Sequence, residues 1–138
     1  MVIIAFVVWD DLYATGIESI DSQHKHFISL LNRMLEALMQ KKGKEHLTYV
    51  IDEMEKYAEY HFVTEESLME KAGYPDIEEH RFYHDAFISK VSDYRHKQDI
   101  HDELLTAEVT IFLTNWLNEH LSMIDQKYVP YMKKAGIN

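Results

Sequence analysis

Breaks are scarce in this chain. Only four glycines and two prolines punctuate 138 residues, so its regular elements must be long. Long uninterrupted segments favour helices, because strands in compact domains run only about 3–10 residues before a turn ends them. At a period near 3.6 the apolar residues form one stripe per segment. The first carries Ile17, Ile20, His24, Phe27, Ile28, Leu31, Leu35 and Leu38, with Lys41-Lys42-Gly43 as its C-terminal stop. The second runs from Leu47 through Val50, Ile51, Met54, Tyr57, Ala58, His61, Phe62, Glu65 and Leu68 to Met69, stopping at Gly73-Tyr74-Pro75. Asp76 then sits at an N-cap position before a third stripe of Ile77, His80, His84, Phe87, Val91 and Tyr94. A polar stretch from His96 to Asp102 precedes a fourth stripe of Leu105, Val109, Phe112, Leu113, Trp116, Leu117 and His120. Short connections make neighbouring helices antiparallel. The expected fold is all-α: an up-down-up-down antiparallel four-helix bundle. It has an N-terminal arm over Met1–Trp9 and a short C-terminal helix around Gln126–Lys134.

Composition fits one domain spanning residues 1–138. With 46% hydrophobic residues, a chain of this size can bury a continuous core without help from a partner. The absence of cysteine excludes disulfides, zinc-thiolate sites and iron–sulfur clusters, so any bound metal is held through nitrogen and oxygen. A formal net charge of −10, with the basic residues scattered, argues against nucleic acid and against anionic membrane as partners. The apolar opening is too short to span a bilayer and meets Asp10 and Asp11 at once. Without a basic start or a small-residue cleavage site it does not read as a signal peptide, so a cytoplasmic protein is expected.

The stripes carry a second message. His24, His61, Glu65, His80, His84 and His120 sit on faces that are otherwise apolar, and no lysine or arginine accompanies them there. Burying an ionised carboxylate without a partner costs several kcal/mol or more, so something must compensate it. Residues four apart on a helix share a face, which lets His61 with Glu65, and His80 with His84, converge on one centre. A dication requires such convergence. His120 and Asp125 are five apart and would diverge by about 140° on a regular helix. For both to point inward, the fourth helix must end or bulge between Leu121 and Ile124. A single buried histidine is more often a hydrogen-bonded core residue than a ligand. Five histidines and two carboxylates distributed over four faces are hard to explain that way. His26, His46, His96 and His101 fall off the stripes and are expected in solvent.

These residues, in this order, resemble a known family. Asp21-Ser-Gln-His24-Lys, His61-Phe-Val-Thr-Glu65-Glu, His80-Arg-Phe-Tyr-His84 and Trp116-Leu-Asn-Glu-His120 with Asp125 are similar to the hemerythrins, especially the bacterial branch. Trp9-Asp10 and Thr15-Gly16-Ile17 extend the likeness over nearly the whole chain. Myohemerythrin, of the same family, is a standard up-down-up-down four-helix bundle. The resemblance implies two iron ions. One is held by His80, His84 and His120, the other by His24 and His61, with Glu65, Asp125 and an oxo or hydroxo group bridging them. It further implies reversible dioxygen binding at the iron with two histidines, where small anions or nitric oxide are further candidate ligands.

Ligand chemistry agrees with iron, since imidazole with carboxylate suits it better than it suits magnesium or calcium. The Glu-x-x-His pairs of ferritin-like di-iron enzymes occur nowhere here. A histidine-rich, carboxylate-poor shell favours binding oxygen over activating it, so an enzyme is not expected. Phe27, Phe62, Trp116, Leu117 and Leu121 flank the ligands and are expected to wall an oxygen pocket; as plain core they would look the same. Carriage, storage or delivery of oxygen is the leading expectation, because no output domain follows within these residues. An oxygen- or redox-sensing regulatory domain using the same di-iron site is the alternative. A phosphotransfer bundle needs one exposed histidine and leaves the other matched positions unexplained.

Overall fold

The computed structural model describes residues 6–100 and 103–138. Among them every regular element is helical and none is a strand. The four expected stripes become α1 (Glu18–Met39), a long run formed by α2 (Gly43–Tyr57) and α3 (Val63–Ala72), α4 (Ile77–Lys97), and α5 (Glu103–Asn115) with its continuation. Two stretches of wider, π-type winding interrupt this regularity. Ala58–Phe62 joins α2 to α3, and Trp116–Ile124 continues α5. A 3-10 turn at Gln98–Ile100 follows α4, and α6 (Val129–Lys134) closes the chain. α1 packs on α2 and α5, α2 also packs on α4 and α5, and α6 packs on α3.

Helix ends follow the sequence with several corrections: α4 runs through His96 to Lys97, and the C-terminal helix begins at Val129 instead of near Gln126. At the end of α1 the left-handed residue is Lys41 (φ 55°), not Gly43. The Lys42 N–H reaches the Ala37 carbonyl at 2.8 Å and the Lys41 N–H reaches that of Leu38 at 3.3 Å, so the orphan carbonyls are satisfied. Gly43 is needed for another reason. It opens α2 against α5, where a Cβ would lie 2.1 Å from Thr106 Oγ1. Asp76 stands before α4 but makes no side-chain capping bond. Only its carbonyl contributes, accepting the His80 N–H at 3.1 Å. Gly73 does terminate α3 as expected, in a left-handed conformation at φ 68°.

Burial largely matches the stripes, although Leu68, Ile77 and Phe112 are only half-buried and α1 drifts. Toward the C-terminal end of α1, Leu30, Met34 and Ala37 are buried whereas Leu35 and Leu38 are half-buried. α1 faces two neighbours, so its buried surface is broader than a single stripe and turns toward both. The described part of the arm, residues 6–9, lies along the bundle: the Val7 backbone exchanges two hydrogen bonds with the Asn32 side-chain amide, at 2.7 and 2.9 Å. Val7, Trp9 and Tyr13 pack on the core. Residues 1–5 of the expected arm, and His101, lie outside the described residues. No described helix is long and apolar enough to cross a membrane.

The buried apolar residues fall into two clusters. The larger contains Phe27, Met54, Phe62, Phe87, Leu113 and Leu121. The smaller contains Ile17, Ile20, Met69, Tyr74, Tyr128 and Met132. Along each helix the histidines and carboxylates fall where one cluster gives way to the other. His24 lies between Ile20 and Phe27, and Glu65 between Phe62 and Met69. A polar layer therefore divides the core.

Candidate metal centre

All seven side chains singled out by the sequence are in that layer. His24, His61, Glu65, His80, His84, His120 and Asp125 are each at most 3% exposed. The π windings bring two of them in. In the second, the Asp125 N–H donates to the His120 carbonyl at 2.8 Å, a bond spanning five residues instead of four. That bond puts His120 and Asp125 on one face, so the expected change of course exists. It begins at Trp116, earlier than the Leu121–Ile124 segment to which the sequence assigned it. The first π winding contains His61 and had no counterpart in the sequence reading.

Two groups of ligating atoms form, with Glu65 in both. Glu65, His80, His84 and His120 make one, and His24, His61, Glu65 and Asp125 the other, each with its atoms within 4.8 Å of one another. Glu65 presents Oε1 to His80 and His84, at 2.6 and 3.0 Å, and Oε2 to His61 at 2.9 Å. Asp125 divides in the same way. Oδ1 lies 3.0 Å from His80 and 2.9 Å from His120, and Oδ2 lies 3.1 Å from His24. Each carboxylate thus offers one oxygen to the three-histidine group and the other to the two-histidine group.

Electrostatics explain why this cluster calls for cations. Burial would push the Glu65 carboxyl up, but His61, His24 and His80 hold it well below the usual carboxylate range. Burial and the Glu65 charge both oppose ionisation of Asp125, yet His120 and His24 bring it down too. Burial would strip the proton from His24 and His80. The adjacent Asp125 and Glu65 carboxylates outweigh it and raise the two to about 9 and about 10. His61 and His120 go the other way, lowered by burial that Glu65 and Asp125 only partly offset. Two buried carboxylates therefore stay ionised and draw positive charge from protons where no metal supplies it.

The donor set fits a metal pair on a further count. His120 Nε2 and both Asp125 oxygens are buried and without a hydrogen-bond partner, despite their short separations. Close but unaligned lone pairs are what a cluster aimed at shared cations presents, and a hydrogen-bonded network does not.

Several supporting residues escaped the sequence reading. His84 Nδ1 is 2.9 Å from Glu66 Oε2, and Arg81 holds the other Glu66 oxygen at 3.0 Å. His61 Nδ1 is 2.6 Å from Gln23 Oε1, so the amide oxygen accepts its proton. The Tyr128 hydroxyl donates to Glu65 Oε2 at 3.0 Å. Glu66 and Gln23 are chain neighbours of Glu65 and His24, and ligating histidines usually hand their second nitrogen to such a partner. That rule was the available signal; Tyr128 had none. Of the expected pocket walls, Phe62 stacks on His84 and Trp116 on His120, both with centroids 3.9 Å apart. Phe27, Leu117 and Leu121 are buried in the same apolar cluster. His26 and His96 are exposed as expected, whereas His46 is half-buried because it accepts the Arg33 Nε–H at 3.1 Å.

Comparison with known proteins gives this geometry a family. Residues 15–132 match the hemerythrin HHE cation binding domain. The chain belongs to the hemerythrin family. It is 39% identical to a bacteriohemerythrin of Pseudomonas aeruginosa over 137 residues, covering 95% of this chain and 84% of that protein. A bacteriohemerythrin of Clostridium acetobutylicum is 30% identical over 126 residues, covering 88% of this chain and 98% of its own. Membership of the hemerythrin family implies a non-heme di-iron centre, and the buried cluster is one that could hold it.

Proposed function

We propose that this chain is a non-enzymatic di-iron protein that binds dioxygen reversibly, for carriage, storage or delivery in the cytoplasm. Residues 1–138 would form one domain, an up-down-up-down antiparallel four-helix bundle. His80, His84 and His120 would hold one iron, His24 and His61 the other, with Glu65 and Asp125 shared between them together with an oxo or hydroxo group. The carrying observation is the division of the two carboxylates, one oxygen of each toward each histidine group. When bound, the iron pair supplies the electrons and the open position that dioxygen binding requires.

The chain's own residues supply the rest. The five imidazoles and two carboxylates fix where the pair sits, and the unequal histidine count leaves room beside His24 and His61. Phe27, Phe62, Trp116, Leu117 and Leu121 exclude water from that space. Glu66 and Gln23 hold the rings of His84 and His61 in orientation.

Aerobically purified protein is expected to carry two irons per chain, with visible charge-transfer absorption that bleaches on reduction and returns as an oxy-type spectrum in air. Irreversible bleaching with substrate turnover would favour an enzyme instead. A large conformational change on oxidation would favour the oxygen- or redox-sensing reading of the same site.

A further inference from the structure

The Tyr57 hydroxyl and the Trp116 indole Nε1 are both buried and both without a hydrogen-bond partner. Their rings lie against opposite histidine groups. Tyr57 stacks on His61, with centroids 4.7 Å apart and planes at 14°, and Trp116 stacks on His120 at 11°. The surroundings are aromatic carbon: Phe27 and Phe62 pack on Tyr57 at 5.3 and 5.6 Å, and Phe62 also touches Trp116 at 5.9 Å. Buried polar groups in native proteins are nearly always paired, so two orphans at the wall of one site need an occupant.

Donor and acceptor counting narrows the choice. Indole N–H only donates, whereas a phenol both donates and accepts. Both rings pack on Phe62, so the indole N–H and the phenol share one wall of the site. The arrangement that uses both groups has the indole N–H directed at the phenol oxygen. The Tyr57 O–H is then left with nothing in the protein to donate to. The Tyr57 ring covers His61, in the group with only two histidines.

We propose that the Tyr57 hydroxyl is a hydrogen-bond donor to the small ligand taken up on the His24–His61 side, with the Trp116 N–H orienting it through its oxygen. This inference rests on the di-iron reading and adds a selectivity to it. Ligands that present a partly negative terminal atom gain a bond inside an otherwise apolar pocket, and ligands that do not gain none. Dioxygen that has taken up electron density and small anions such as azide belong to the first class.

The test uses the iron-loaded full chain in its oxidised form, with azide as probe. Tyr57→Phe keeps the ring and its stacking and removes only the oxygen. Iron content should stay at two per chain while the azide dissociation constant rises about tenfold, the worth of one hydrogen bond in a site without water. Trp116→Phe should raise it by a smaller factor, since it removes only the orienting donor. A second readout reports the bond directly: the infrared stretching band of bound azide should shift between H2O and D2O in the wild type and not in Tyr57→Phe. Equal azide affinity and the same isotope response in both proteins would overturn the inference and leave the di-iron reading standing. Failure of the wild type to load two irons would overturn both.

Discussion

His84 and His61 face opposite oxygens of Glu65, and each ring is steadied through its Nδ1, yet their supports differ in charge. His84 leans on the Glu66 carboxylate, itself fixed by Arg81. His61 leans on the neutral amide of Gln23. A carboxylate partner orients an imidazole and also makes it a stronger donor, whereas an amide oxygen chiefly fixes the tautomer and the angle. The three-histidine side is thus built to grip. The two-histidine side has a lighter support, an aromatic cover in Tyr57 and a phenol, Tyr128, on its Glu65 oxygen. Under the proposed function, this unequal support would let one half hold its metal firmly while the other stays adjustable for a ligand.

The hardest blow to this contrast is to remove the group both sides share. Glu65→Ala should lose both irons together, as seen by metal analysis and loss of the visible bands; retention of a full two-iron spectrum would refute the shared role. Leu117→Ala leaves the supports alone and opens the wall. It should cost about 2–5 kcal/mol in unfolding free energy, keep two irons and hasten autoxidation, and unchanged oxidation kinetics would remove Leu117 from the pocket. The sharpest comparison pairs Glu66→Ala with Gln23→Ala. The first should weaken iron retention by roughly 10–100-fold in a chelator challenge and the second by clearly less. Equal losses would show that the charge difference is immaterial. Tyr128→Phe should have the smallest effect, about 1 kcal/mol on metal-loaded stability by thermal unfolding, because one hydrogen bond to Glu65 disappears while the ring stays.

Much of this was legible beforehand because helical periodicity is a local property. Four stripes sufficed to give four helical segments, and the polar residues on those stripes gave six of the seven side chains that meet in the buried layer; Asp125, off the stripe, came from the family resemblance. The two π windings were only half legible. Asp125 demanded a change of course because a five-residue spacing misses the face, but His61 and Glu65, four apart, gave no such warning. The stop after α1 was misread for a related reason: Lys41-Lys42-Gly43 looks like a glycine cap until the closeness of Thr106 explains where the glycine is required.

Order along the chain therefore settled which residues form helices and which of their faces turn inward, since both follow from a repeat of 3.6 and from the cost of burying charge. Packing between helices settled the rest. Gln23 reaches His61 from α1, Glu66 reaches His84 from α3, and Tyr128 reaches Glu65 across 63 positions of sequence. No periodicity encodes those meetings, because each depends on how two separate helices are set against one another and on where a wider turn rotates a side chain into the gap.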